Sequence, residues 1–135
     1  MAKLTKEWAY GKDINALILR LVLGLSMFYG HGLGKWSALF GSGEIQFPDP
    51  LGVGVTLSLG LAVFAEVICA LLIVLGLFTR LALIPLIMTM GVAAFIFHSG
   101  DPFGKIELPL IYFFGYIAII FIGPGRFSLD HYIKR

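Results

Sequence analysis

Seven side chains in this sequence could do chemistry inside an otherwise apolar chain: His31, Glu66, His98, Glu107, Lys35, Tyr29 and Tyr112. A carboxylate and an imidazole buried beside one another can change protonation near neutral pH. Glu66 is the deepest acid, and His31 the histidine best placed to meet it, so the two are expected to form a proton-handling catalytic pair. His98 and Glu107 are expected as secondary donors or acceptors, and Tyr29, Tyr112 and Lys35 as ligand-binding groups around them. Each also has a plainer reading. The histidines can bridge helices, Glu107 can cap the start of its helix, and Lys35 can anchor at the headgroups. No metal site is expected, because the chain has one cysteine, Cys69, and no HExxH motif. Gly30 to Ser37 superficially suggests a phosphate loop, but Tyr29 and Trp36 occupy positions where that motif needs glycine and serine or threonine.

These groups must be held by membrane helices. The 135 residues are 59% hydrophobic and 13% charged, with a mean hydropathy of +0.93, whereas a soluble domain carries about 25% charged residues. A helix of about 20 apolar residues crosses the hydrocarbon core because it satisfies its own backbone there. Four such runs are predicted, at about 14–33, 50–78, 80–98 and 107–122, within a single membrane domain spanning 1–135. Asp49-Pro50 and Asp101-Pro102 read as helix starts, and Gly123-Pro124-Gly125 as a stop. The connection 35–49 is expected at the interface, and the tail, Arg126 to Arg135, is polar.

Short connections favour an antiparallel all-α four-helix bundle. Lys3, Lys6, Lys12, Arg80, Arg126, Lys134 and Arg135 fall on one side of it, and only Lys35 and Lys105 on the other. By the bias of lysine and arginine toward the inner face, both termini are cytoplasmic.

Periodicity and depth bring the reactive groups together. Arg20, Gly24, Met27, His31 and Lys35 recur at helical spacing and share one face. Counting the helical rise from the cytoplasmic ends places His31 roughly 25 Å, His98 roughly 27 Å and Glu107 roughly 24 Å up, with Glu66 roughly 18 Å up. A carboxylate so near mid-membrane is unfavourable by about 2.5 to 3.5 kcal/mol and needs a partner or a proton. Arg20 can reach the cytoplasmic surface by snorkelling. The stripe Ser58, Ala62, Ala65, Glu66, Cys69, Ile73 and Gly76 suits close helix approach.

His31-Gly32-Leu33-Gly34-Lys35, Ala65-Glu66, Gly76-Leu77-Phe78-Thr79-Arg80 and the run from Gly123 to Asp130 together resemble the DoxX family, over about residues 17–130. The resemblance implies a small four-span protein of the bacterial inner membrane. Relatives include a subunit linked to thiosulfate:quinone oxidoreductase and components of other membrane oxidoreductase complexes, and the family gives no settled catalytic residues to carry over. Gly41 to Pro48 fits the family pattern poorly and would cap the polar layer.

The leading expectation is a redox-associated subunit that holds a quinone, or a similar flat apolar ligand, in a polar-lined cavity near the outer face. The alternatives are an accessory or assembly subunit docking a membrane partner, a small proton-coupled transporter, and a bundle binding haem between His31 and His98. The bilayer and a protein partner or second copy are expected contacts; nucleic acid is not.

Overall fold

A computed structural model of the chain describes residues 6–134. Lys3 and Arg135, two of the basic residues counted above, lie outside the described residues. Four helices are long and apolar enough to cross a membrane: α1 (Gly11–Phe40), α2 (Val55–Leu75), α3 (Thr79–Phe97) and α4 (Phe103–Ile122). A one-turn helix, α5 (Leu129–Ile133), follows. No strand occurs among the described residues. The helices alternate in direction, so the N-terminal arm and the C-terminal tail meet at one end, where the Arg126 amide donates to the Asp13 carboxylate at 2.9 Å.

The core draws on every span: Met27 from α1, Ala65 and Ile73 from α2, Leu83 and Leu86 from α3, and Tyr116 and Ile119 from α4. The outward faces are equally apolar, with Val22, Leu61, Ile84 and Phe121 exposed. Water would penalise such a surface, whereas lipid does not. Close approach is achieved with glycine. A Cβ at Gly24 would strike Val74 and the Ala70 carbonyl, and one at Gly32 would strike the Glu66 carbonyl, so α1 lies directly on the backbone of α2 at both places. Gly30 and Gly34 face open space.

Several boundaries differ from the sequence-based expectation. Helix α1 runs to Phe40 rather than Leu33: Gly32 packs against α2, and Gly30 and Gly34 stand in the helix without ending it. Helix α2 starts at Val55 rather than Pro50. The Asp49 carboxylate does accept backbone amides, from Val53 at 3.0 Å and Gly54 at 2.9 Å, together with the Ser58 hydroxyl at 2.7 Å. Gly52 and Gly54, at φ of +70° and +105°, turn the chain once more before the helix begins. Helix α4 starts at Phe103, directly after Pro102, which puts Glu107 in its second turn rather than at its start.

The end that carries the termini is locked by polar groups. Gly76 adopts a left-handed conformation, and the Gly76 and Leu77 amides return to the carbonyls of Ile73 and Leu72, which closes α2 in a Schellman turn. Arg20 does not snorkel to the surface. It is fully buried and donates to the carbonyls of Ile73 (3.3 Å), Val74 (3.2 Å) and Phe127. The Ile73 carbonyl thus accepts from both the Gly76 amide and Arg20. Val74 and Phe127 supply the other acceptors at the helix end and the tail turn, and a cation is favoured at a helix C-terminus. Arg80 does the same for α4 by donating from Nε to the Ile120 carbonyl at 3.0 Å. Asp130 accepts the free amides of Phe78 (2.8 Å) and Thr79 (2.9 Å) at the start of α3. The motifs 76–80 and 123–130 thus form one structural unit around Arg20.

Candidate functional site

Three spans contain a wide π-helical turn: Phe28–Gly32 in α1, Phe64–Cys69 in α2 and Ala93–Phe97 in α3. Such turns take up an extra residue and re-aim the side chains after them, and they recur at functional sites. The first carries His31 and sets the four-residue steps from Met27 to His31 to Lys35 on the inner side of α1. The second carries Glu66. The third ends next to His98.

Glu66 is fully buried, and both its oxygens accept from Lys35 Nζ, at 2.6 and 2.8 Å. The continuation of α1 past Leu33 swings Lys35 over the cavity one turn beyond His31, and its long stem reaches down to the acid. Glu66 therefore takes Lys35 as its direct partner, and His31 packs its ring edge-on to Tyr112 at 5.7 Å between centroids. Tyr112 in turn stacks on Tyr116 at 5.8 Å, and the Tyr116 hydroxyl donates to the Leu23 carbonyl at 3.1 Å. A polar seam thus runs from Lys35 and Glu66 past His31 to the aromatic pair of α4.

This seam borders a cavity of about 800 Å³ at the end of the bundle opposite the termini. His31, Lys35, Glu66 and Tyr112 line it with Ser58 and Thr89. The rest of the wall is mostly aliphatic or aromatic, including Phe47, Met90 and Phe97. Leu61, Phe64 and Met88 also border it and are exposed on the outer surface of α2 and α3, so the cavity opens sideways toward lipid. Phe47 and Pro48 of the connection between α1 and α2 close over its end, where Asp49 holds Ser58.

His98 lies at the margin, half-buried, with Nδ1 2.9 Å from an Asp101 oxygen. Glu107 is exposed on α4 and does not line the cavity. Tyr29 points outward, 67% exposed, from within the π-helical turn. Of the seven groups expected at the site, five therefore line the chamber and these two do not. Thr89 was not anticipated. Its hydroxyl donates to the Pro85 carbonyl at 2.7 Å, and the signal was in the sequence: a threonine one turn after a proline in an apolar span commonly answers a disturbed backbone. Cys69, buried on the close-packed face of α2, is packing. No group of three or more potential metal ligands occurs among the described residues.

A multi-pass helical membrane protein with a laterally open chamber, polar at one wall and apolar elsewhere, is the class these features define. The chain belongs to the DoxX family, whose pattern matches residues 15–99. It is 31% identical over 137 residues to an uncharacterized protein of Haemophilus influenzae, covering 96% of this chain and 90% of the relative. A second protein of that organism, also uncharacterized, is 33% identical over 125 residues, with 84% and 86% covered. An uncharacterized membrane protein of Mycobacterium tuberculosis is 28% identical over 144 residues, with 90% and 82% covered. No solved structure matches.

Proposed function

We propose that the chain is a redox-associated membrane subunit that binds a quinone, or a flat apolar ligand of the same kind, in the chamber between its spans. The observation that carries this reading is the pairing of an 800 Å³ mostly apolar cavity, open toward lipid, with the ion pair of a fully buried Glu66 and a partly buried Lys35 at its polar wall. Ligand pockets of this volume commonly combine apolar walls with a few fixed polar groups. A lipid-soluble ring would enter between α2 and α3. Its ring oxygens would accept hydrogen bonds from Lys35 Nζ and from His31 or Tyr112, and Glu66, relieved of part of its lysine contact, would accept or return a proton. Intramembrane ionisable groups of this type often mark such relays. Electrons would come from a partner subunit.

With the termini in the cytoplasm of a bacterial cell, the chamber faces the outer leaflet of the inner membrane. Quinone-dependent difference spectra on the purified protein test the proposal. A saturable spectral change that Glu66→Gln and Lys35→Met abolish, with the fold intact, supports it. No spectral change, together with unaltered cellular activity of Glu66→Gln, rejects it, and a haem spectrum would replace it.

A further inference from the structure

A second cavity, of about 540 Å³, lies at the opposite end of the bundle, where the arm, the α2–α3 turn and the tail converge. Its charged and titratable lining is Asp13, Arg80, Arg126, Asp130, His131 and Lys134. The two acids are already engaged. Asp13 accepts the Arg126 amide and faces Arg126 Nε at 4.0 Å, and Asp130 accepts the amides of Phe78 and Thr79. Arg80 is fixed by its Nε bond to Ile120, which leaves its two terminal nitrogens beside Gly123. Arg126 is steadied by the Tyr10 ring, 5.1 Å from its guanidinium carbon. Lys134, one turn along from Asp130, adds a third cation.

The depth of this cavity is marked by the aromatic side chains around it. Trp8, Tyr10 and Tyr132 are all strongly exposed at the same end, and tryptophan and tyrosine collect at the level of lipid headgroups. Three cations around a hollow at that level are more than orientation in the membrane requires, because two of them are held in place by named contacts. The geometry points to a site for a phosphate group, the phosphodiester of an anionic phospholipid headgroup, cradled by Arg80, Arg126 and Lys134. Arginine presents forked donors that suit phosphate oxygens, and lysine adds a point charge. Basic pockets between membrane helices bind anionic headgroups for this reason. The site is separate from the quinone chamber and stands or falls independently of it.

Native mass spectrometry of the full chain released from detergent micelles tests the assignment. Phosphatidylglycerol is compared with diacylglycerol of the same acyl chains, with inorganic phosphate as a separate arm. The variants are Arg126→Gln, Lys134→Gln and the pair together, since neither side chain closes a helix end; a thermal melt checks each fold. Wild type is expected to retain phosphatidylglycerol over diacylglycerol, and the double variant to retain it about thirtyfold less, the scale expected for two cations near a membrane surface. Displacement of the lipid by millimolar inorganic phosphate would assign the same site to free phosphate. Equal retention of both lipids, or equal retention of phosphatidylglycerol by wild type and folded double variant, overturns the site.

Discussion

At the scale of single residues, the Lys35–Glu66 pair is the feature with the largest consequences. Glu66 is fully buried while Lys35 keeps 28% of its side chain exposed. Removing the lysine, which strands a carboxylate in low dielectric, therefore approaches the cost of breaking a buried pair, about 3–5 kcal/mol, and removing the acid costs less. Lys35→Met and Glu66→Gln are each expected to lower the thermal unfolding midpoint markedly in detergent. The double variant should recover much of that loss, since it removes both charges together. A double-mutant cycle reads the coupling, and additive effects would show that the two residues act apart. Glycine offers a second contrast. Gly32→Ala pushes a methyl group into the Glu66 carbonyl and is expected to cost about 1–3 kcal/mol, while Gly30→Ala and Gly34→Ala, with open space before them, should be neutral or slightly stabilising. Parallel melts of the three variants check this.

At the scale of elements, two aspartates outside the spans hold the connections. Burial alone would raise the Asp130 carboxyl, but the amides of Thr79 and Phe78 and the Arg20 charge outweigh it and keep it below its ordinary value of 3.8. A carboxyl depressed in the folded state contributes stability that is complete above its unfolded value and fades as pH falls through the folded one. The tail should therefore stay docked through neutral and mildly acidic pH and release only below about pH 4. Hydrogen exchange at the Phe78 and Thr79 amides follows that release, and Asp130→Ala should raise their exchange at pH 7.

Asp49 is likewise held low, first by the Ser58 hydroxyl and then by the Gly54 amide. It ties the connection that closes over the chamber to the first turn of α2. Asp49→Ala is expected to speed ligand exchange with little change in the fold, measured by stopped-flow release of a bound quinone. Unchanged release would mean that the connection does not gate the chamber.

At the scale of the whole molecule, the architecture was legible because hydrocarbon thickness demands long apolar runs, and four of them stand out in the chain. The inner face of α1 was legible too, from the spacing of Arg20, Gly24, Met27, His31 and Lys35. The partner of Glu66 was not. The expected span ended at Leu33, so Lys35, though on the same face as His31, stood in the connection beyond it, whereas Gly32 serves contact with α2 and the helix runs on for two more turns. Arg20 was misjudged for a related reason: the carbonyls it caps belong to α2 and the tail, more than 50 positions away. Tyr29 and Glu107 were expected around the polar layer but face away from the chamber, Tyr29 from within the π-helical turn and Glu107 from the second turn of α4. Depth follows from counting along one helix, while facing depends on how several helices meet.

The most direct measurement is extraction and mass-spectrometric identification of lipophilic molecules that co-purify with wild type and with the Lys35→Met/Glu66→Gln double variant, followed by titration of a short-chain quinone. The proposed site requires a quinone enriched on wild type, saturation at one ligand per chain, and loss of both in a folded double variant. Quinone content equal to that of the surrounding detergent, and the same unsaturable partitioning by both proteins, would contradict it.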